Sequence, residues 1–251
     1  MFPLRDTVPT LHFPLVTRAI ILLNAAVFVF ELRLPDSVLE TLFYVCGIVP
    51  ARFTHPEWAA RIGLPIHEYW PFLTSMFLHG GWLHIVANMW VLWIFGDNVE
   101  DRMGPVRFAA FYLVCGIVAG IVHWVTNADS TVPTVGASGA IAGVLGAYLL
   151  LFPTARVIVL VPVFFWPFFF ELPAVTFLMF WFLTQLFSGT LAMAGPEHVG
   201  GVAWWAHVGG FTAGVVLHRL FISRSRSRDI HLDEFGFLTA WGGRGPGRRR
   251  R

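Results

Sequence analysis

Residues 136–152 read GASGAIAGVLGAYLLLF and contain no charged side chain. Three glycines in this stretch recur at helical spacing and would fall within about 60° of one another on a helix; they are Gly139, Gly143 and Gly146. A stripe of small residues lets a neighbouring helix approach closely, as occurs in membranes. The stretch therefore predicts an apolar helix that begins at Ser138 and packs against a second helix.

A second glycine stripe occurs in residues 206–214, AHVGGFTAG. On a helix, His207, Gly210 and Gly214 would lie within about 60° of one another. Ser138 and His207 each stand at the start of one stripe, so close packing of the two helices would bring their side chains within hydrogen-bond reach. This contact is what an activated serine nucleophile requires. The alternative is structural: Ser138 caps its helix and His207 bonds a neighbouring one.

The composition of the chain excludes a soluble globular domain, a disordered chain and a coiled coil. Of 251 residues, 56% are hydrophobic and 13% are charged, whereas soluble domains carry about 25% charged residues. The mean hydropathy is +0.67. Cys46 and Cys115 are the only cysteines, which excludes a disulfide scaffold and a four-cysteine zinc site.

Apolar segments of spanning length predict an all-α polytopic membrane protein with six transmembrane helices. The six segments are 18–34, 73–95, 106–125, 138–152, 172–193 and 202–222. Residues 156–173 are also apolar but contain three prolines, so they are interpreted as an interfacial connection, with a seventh partial span as the alternative. The domain organisation is then a cytoplasmic N-terminal segment (1–17), a six-helix domain (18–222) and a basic cytoplasmic tail (223–251).

The basic residues predict the orientation. All 17 are arginines, and with six spans all but Arg33, Arg52 and Arg61 fall on one side. Positive residues stay in the cytoplasm, so both termini are expected there. No transit peptide precedes the first span, which favours a bacterial inner membrane. The arginine-rich tail is interpreted as a topology signal or a lipid-headgroup contact, and no nucleic-acid partner is expected.

Polar side chains inside predicted spans are functional hypotheses. In segment 73–95, His84 and Asn88 lie within about 40° on one helix face, as two donors aimed at one point. His79 would lie about 140° from His84 on the same helix, so the three residues share no metal-binding facet and no metal site is predicted. No Asp or Glu lies in the interior of a span, since Glu31 is at a span end, and this favours a Ser–His dyad over a triad.

These residues resemble the rhomboid family of intramembrane serine proteases. Gly136-Ala137-Ser138-Gly139 is similar to the family's G-x-S-G, and Ala206-His207 with the two glycines that follow is similar to its A-H-x-x-G-x-x-x-G. The second span resembles H-x-x-x-x-H-x-x-x-N. The resemblance implies that Ser138 is the nucleophile and His207 the base. It also implies that His84 and Asn88 bind the oxyanion and that His79 is structural.

Residues 100–104, EDRMG, are similar to the family's E-x-R-x-G, which implies that Glu100 and Arg102 belong to a polar network.

The sequence departs from the family pattern at two positions. Trp70 is followed by Pro71 where many members have arginine, so the loop there is expected to be anchored differently. Position 142 is alanine where several members carry an aromatic that packs on the base, so His207 is expected to be held less firmly.

The resemblance implies an endopeptidase that cleaves transmembrane protein substrates near the extracytoplasmic membrane face, without a metal or organic cofactor. Its implied partners are those substrates and the lipid bilayer. The alternative is a catalytically inactive rhomboid-like scaffold that binds client transmembrane helices, in which the same polar groups serve folding. A transporter is a third reading, but the inverted repeats or intramembrane carboxylates expected of one are not found in the sequence.

Overall fold

The computed structural model describes residues 1–66, 68–194, 202–223, 230–232 and 238–240. Most of these residues are helical. The helices are α1 (Leu15–Glu31), α2 (Asp36–Cys46), α3 (Pro50–Thr54), α4 (Pro56–Arg61), α5 (Pro71–Thr74), α6 (Trp82–Met103), α7 (Pro105–Thr126), α8 (Ser138–Leu151), α9 (Ala174–Ala194) and α10 (Trp204–Phe221). The strands are β1 (Phe2–Asp6), β2 (Arg156–Val163), β3 (Trp166–Pro173), β4 (Ile230–Leu232) and β5 (Leu238–Ala240). A 3₁₀ turn, Ser75–Phe77, follows α5.

Helices α8 and α10 lie in backbone contact along the two glycine stripes. A Cβ added to Gly210 would lie 2.0 Å from the carbonyl oxygen of Gly139, and one added to Gly214 would lie 1.9 Å from that of Gly143. No side chain fits at such distances, so both positions of α10 require glycine. Helix α7 packs on the other side of α8, where a Cβ on Gly143 would lie 2.4 Å from the Cβ of Cys115. The catalytic candidates at the start of α8 and α10 are held by this contact.

The helix boundaries follow the predicted segments except at 73–95. Helices α7 to α10 begin and end within about two residues of the prediction, and α1 lies three residues earlier than expected. In place of one helix over 73–95, α5 with its 3₁₀ turn meets α6 at an angle of 94°. The break occurs because Leu78 takes an extended backbone and a pair of helix-weakening glycines, Gly80 and Gly81, follows it.

Two of the described helices, α7 and α9, are long and apolar enough to cross a membrane. The bent pair of α5 and α6 is a third candidate if it is counted as one span, and α8 is a shorter apolar helix. The chain is therefore a mostly helical protein with membrane-spanning character.

The prediction of an all-α fold is wrong in three places: at the N-terminus, in residues 156–173 and in the tail. Strands β2 and β3 form an antiparallel hairpin, and β1 pairs antiparallel with β2, so the sheet order is β1-β2-β3. The prolines exclude a helix, and the β-branched residues of β2 favour a strand; Val157 and Val159 are fully buried in the core. The alternative of a seventh partial span is also wrong. Strands β4 and β5 pair antiparallel in the tail.

Two carboxylates attach the N-terminal segment to α6. Glu100 accepts hydrogen bonds from the backbone N–H groups of Val16 and Thr17, at 2.9 and 2.7 Å, and from the Thr17 hydroxyl at 2.8 Å. It thereby satisfies the exposed donors of the first turn of α1. Asp6 of β1 accepts a hydrogen bond from the Asn98 side-chain amide at 2.8 Å and another from the Tyr148 hydroxyl.

Candidate active site

The side chains of Ser138 and His207 meet where α8 and α10 cross. Ser138 is the first residue of α8, and His207 lies in the first turn of α10. The Ser138 Oγ lies 2.8 Å from Nε2 of His207. His207 is buried, with 9% of its surface exposed. The hydroxyl is directed at the imidazole, which is the contact that serine activation requires.

Gln185, in the middle of α9, fixes the tautomer of this imidazole. Its Oε1 lies 2.8 Å from Nδ1 of His207, while its Nε2 donates to the carbonyl oxygen of Trp181 at 3.2 Å. Because the amide nitrogen is turned toward Trp181, the oxygen that faces His207 can only accept. Nδ1 therefore carries the proton, and Nε2 is left unprotonated to accept the proton of Ser138.

Aromatic residues hold the same ring from α9 and α10. The indole of Trp181 lies 5.7 Å from the His207 ring, tilted by 36°, and the indole of Trp204 meets it edge-on at 6.4 Å. Ala142 stands where several family members carry an aromatic residue. It is buried between α8 and α10, and its Cβ lies 3.3 Å from the position that a Cβ on Gly210 would occupy. Trp181 of α9 therefore packs on the His207 ring, in place of an aromatic residue on α8.

His84 and Asn88 lie together beside the loop that leads to Ser138. A Cβ built on Gly136 would lie 2.7 Å from Nε2 of His84 and 3.7 Å from Nδ2 of Asn88. Gly136 has a φ of 132°, so a side chain there would also strain the backbone. Asn88 is buried, and its Nδ2 has no hydrogen-bond partner among the described residues. A buried donor without a partner is costly, and this one is positioned to receive an oxygen from a ligand.

His79 lies outside α6, so the helical angle assigned to it from the sequence is wrong. It belongs to the extended segment that precedes Trp82, and its ring packs edge-on against that of His84 at 5.1 Å. The backbone N–H of His79 donates to the Glu31 carboxylate, with distances of 3.2 and 3.3 Å to the two oxygens. Glu31 ends α1 and is buried. The C-terminus of α1 thus fixes the start of the segment that carries His84.

A cavity of about 1100 Å³ opens beside the serine. Its lining includes Ser138, His207, His84 and Asn88. Part of the wall is held by Thr134, whose backbone pairs with Ile48 and whose hydroxyl contacts Nε2 of His123 at 2.8 Å. The cavity is large enough to admit a segment of extended peptide together with water.

The loop between α2 and α5 is anchored by Arg52, a residue outside the family motif. Its Nε donates to the carbonyl oxygen of Pro65 at 2.7 Å, its Nη1 to that of Val45 at 2.9 Å, and its Nη2 lies 3.5 Å from Glu68. The guanidinium also lies 6.0 Å from the Trp70 ring. Pro71, where many members have arginine, is the first residue of α5. A guanidinium from α3 therefore anchors this loop, although position 71 is not an arginine.

Glu100 and Arg102 lie at the end of α6 opposite the site. They follow His84 by 16 and 18 residues, which separates them from it by about 24 Å along a helix. Glu100 binds the start of α1, and the Arg102 guanidinium lies 5.9 Å from the Phe152 ring. They hold the helices together at that end and do not reach the serine.

Two residues of the site, Gln185 and Glu31, were missed by sequence reasoning. The residues expected to pair with a catalytic histidine are carboxylates, and Gln185 is an amide. A signal was nevertheless available, because Gln185 is an amide in the middle of a predicted span that has no charged side chain, where polar groups are functional hypotheses. Glu31 was noted only as lying at a span end.

The chain is similar to known proteins over much of its length. A family model described as the Rhomboid domain matches residues 66–224. RHOMBOID-like protein 1 of Arabidopsis thaliana is 32% identical over 158 residues, which cover 63% of this chain and 36% of the relative. RHOMBOID-like protein 5 of the same plant is 39% identical over 82 residues, or 33% of this chain and 26% of the relative.

A third relative is the mouse (Mus musculus) presenilin-associated rhomboid-like protein, mitochondrial. It is 38% identical over 97 residues, which cover 38% of this chain and 26% of the relative. The chain therefore spans between 26% and 36% of the length of these curated relatives. The three relatives come from a plant and an animal, and one is named as mitochondrial, so they do not support the expected bacterial inner membrane.

Proposed function

The chain belongs to the rhomboid family, and from that premise we propose that it is an intramembrane serine endopeptidase that cleaves transmembrane protein substrates. Ser138 is the nucleophile and His207 is the general base. The observation that carries this proposal is the 2.8 Å contact between Ser138 Oγ and the unprotonated Nε2 of His207. The hydrogen bond that Nδ1 of His207 donates to Gln185 Oε1 supports it, because it selects the tautomer whose Nε2 can accept a proton.

In the acylation step, Ser138 Oγ attacks the carbonyl carbon of the scissile peptide bond while its proton passes to Nε2 of His207. The resulting imidazolium is positive, and the hydrogen bond from Nδ1 to Gln185 becomes charge-assisted. When the tetrahedral intermediate collapses, Nε2 returns the proton to the leaving amine. A water molecule from the cavity then repeats the sequence on the acyl-enzyme and releases the second product.

The negative oxygen of each tetrahedral intermediate needs donors that are already in place. Asn88 Nδ2 is a buried donor without a described partner, and His84 Nε2 faces the same space beside Gly136. The backbone N–H of Ser138 adds a third donor at the N-terminus of α8, where the helix dipole favours negative charge. We assign these three groups to the oxyanion hole.

The proposed topology has six spans, formed by α1, α6, α7, α8, α9 and α10, with both termini on the cytoplasmic face. The antiparallel pairing of β1 with β2 supports it, because β1 precedes α1 and β2 follows α8, so the two strands share one membrane face. Ser138 is at the opposite end of α8, which directs the site to the extracytoplasmic face. A substrate helix must unwind locally there, because its peptide bonds are otherwise engaged in helical hydrogen bonds.

Labelling by a fluorophosphonate probe tests the proposal. Purified protein in detergent is labelled beside Ser138→Ala and His207→Ala, with Ser130→Ala as the matched control because Ser130 lines the same cavity. We expect labelling of the wild type and of Ser130→Ala, and its loss in the other two. The same four proteins are assayed for cleavage of a transmembrane substrate in liposomes.

The same experiment can favour the alternative function, a catalytically inactive scaffold, because a scaffold needs no reactive serine. A wild type that neither reacts with the probe nor cuts the substrate contradicts the protease. Cleavage that persists in Ser138→Ala contradicts the assignment of the nucleophile, even if the protein is a protease.

A further inference from the structure

The hairpin of β2 and β3, residues 156–173, carries an aromatic tip that nothing in the described structure covers. Phe164, Phe165 and Trp166 are 94%, 98% and 74% exposed. Residues 157–170 contain no charged side chain. In water, an apolar projection of this kind is an aggregation hazard, so its environment in the native protein must be something other than bulk water.

The turn at the tip retains a phenylalanine where the backbone disfavours one. Val163 pairs with Trp166, which leaves Phe164 and Phe165 as the two loop residues. Phe164 has a φ of 54°, in the region that glycine or asparagine normally occupies in such turns. A bulky residue there is an outlier. Glycine would adopt this φ at a lower energetic cost, so the phenylalanine side chain must have a role other than forming the turn.

Prolines block the outer edge of β3. Pro162 faces Pro167, and because neither has an N–H group the pair is not hydrogen-bonded. The N–H positions of β3 that point away from β2 are therefore those of residues 167, 169, 171 and 173. Two of these four residues, Pro167 and Pro173, have no N–H to offer. Such an edge is poorly suited to the addition of a strand from a second copy.

The root of the hairpin is held at the end of the helical bundle. Val157 and Val159 are buried in the core, and β3 runs directly into the membrane-crossing helix α9 at Ala174. Arg156 and Glu171 form an exposed ion pair of 2.6 Å beside this root. Going from root to tip, the side chains change from charged to purely apolar and aromatic, as they do at a membrane–water interface.

We propose that the hairpin is an interfacial membrane anchor, and that Phe164, Phe165 and Trp166 insert into the headgroup–acyl boundary of the leaflet on the β1 face. Val175, in the first turn of α9 next to the root, is also exposed. The insertion is shallow, because the remaining N–H groups at the β3 edge cannot be left unpaired in hydrocarbon. The Arg156–Glu171 pair stays in the polar layer. This anchor lies at the membrane face opposite Ser138 and does not depend on the proposed protease activity.

Fluorescence quenching in liposomes tests the depth of the tip. The background variant is Cys46→Ala/Cys115→Ala, and Phe165→Cys is labelled with the environment-sensitive dye NBD. Thr154→Cys, an exposed position between α8 and β2, is the matched control. Phosphatidylcholine–phosphatidylglycerol vesicles contain lipids with a doxyl quencher at carbon 5 or carbon 12, and iodide is added to the water. Circular dichroism of each labelled protein checks its helix content.

We expect the Phe165 label to be quenched more by 5-doxyl than by 12-doxyl lipid and to be protected from iodide. The Thr154 label is expected to be quenched by iodide and not by either doxyl lipid. A Phe165 label that iodide quenches and doxyl lipid does not overturns the proposal. Protection that depends on the protein-to-lipid ratio, without doxyl quenching, also overturns it and identifies a second copy as the occupant. Phe169→Cys, 63% exposed in the wild type, is a second label position for the case in which substitution at the tip disturbs folding.

Discussion

Gln185 accepts a hydrogen bond of 2.8 Å from Nδ1 of His207, on the side of the ring opposite Ser138. A neutral amide therefore occupies the place that a carboxylate holds in a Ser–His–Asp triad. A buried carboxylate would have to be desolvated inside an apolar bundle, whereas an amide avoids that penalty. It still selects the tautomer of the imidazole and prevents the ring from turning.

Removal of this acceptor is expected to lower kcat while KM changes little. Gln185→Met keeps the volume and the unbranched shape of the side chain but offers no comparable acceptor to Nδ1. A hydrogen bond to a charged group contributes about 1.5–3 kcal/mol, so the loss of the bond to the imidazolium predicts a decrease of about 10- to 100-fold in kcat. Cleavage of a transmembrane substrate in liposomes at varied substrate density measures both constants.

Gln185→Glu is the control for this prediction, because it restores an acceptor at the same place. Activity above that of Gln185→Met is expected, together with a pH profile different from that of the wild type, since the new carboxyl can take up a proton. Equal activity of Gln185→Met and wild type would show that Trp181 and Trp204 suffice to hold the ring.

Asn88→Ala is expected to lower kcat by about 10- to 10³-fold, because loss of one oxyanion donor has an effect of that order. Asn127→Ala is the matched control, since Asn127 also lines the cavity but its amide donates to the carbonyl oxygen of His123. Reaction with the fluorophosphonate probe and substrate turnover are measured for both variants. An unchanged kcat in Asn88→Ala removes this residue from the oxyanion hole.

The part of the site that follows from helical periodicity could be predicted from the sequence. The glycine stripes place Ser138 and His207 at one crossing, and His84 and Asn88 share a face, because a spacing of three or four residues has a fixed meaning on a helix. His79 was misplaced because one helix was assumed to run through Gly80 and Gly81. Gln185 lies on a third helix, α9, whose rotation about its own axis is set by tertiary packing and by no local pattern.

The hairpin was partly predictable for a similar reason. Three prolines excluded a helix over 156–173, and this followed from covalent geometry. The pairing of β1 with β2 joins residues about 155 positions apart, and nothing in the sequence of either strand specifies that partner. The short run of mostly β-branched residues from Val157 to Val161, which lies between two prolines, was a usable signal for a strand.

Gly210→Ala is expected to destabilise the protein and to abolish cleavage. The added Cβ would lie 2.0 Å from a backbone oxygen of α8, and this oxygen cannot move without displacing the helix. Overpacking of this kind costs about 1–3 kcal/mol or more, and it separates α8 from α10 next to the catalytic contact. Thermal unfolding in detergent, followed by circular dichroism, measures the change. Gly80→Ala is the control, because a Cβ there would have its nearest neighbour at 4.0 Å; a Tm equal to that of Gly210→Ala would contradict the packing argument.

The stability of the protein is expected to fall as the pH rises from about 4 to about 7, through Asp6. Burial, reinforced by the negative charge of Asp97 and opposed by the hydrogen bond from Tyr148, raises the pKa of the Asp6 carboxyl to about 7. The unfolded chain has a pKa of about 3.9 for aspartate. The folded state therefore binds the proton more tightly, so ionisation destabilises it progressively across this interval.

Asp6→Asn stays neutral, so its Tm should decrease less than that of the wild type between pH 4.5 and pH 8. The Tm of Asp36→Asn, a substitution at an exposed position of α2, should follow that of the wild type. Identical pH dependence in wild type and Asp6→Asn would show that β1 remains attached regardless of the charge on Asp6.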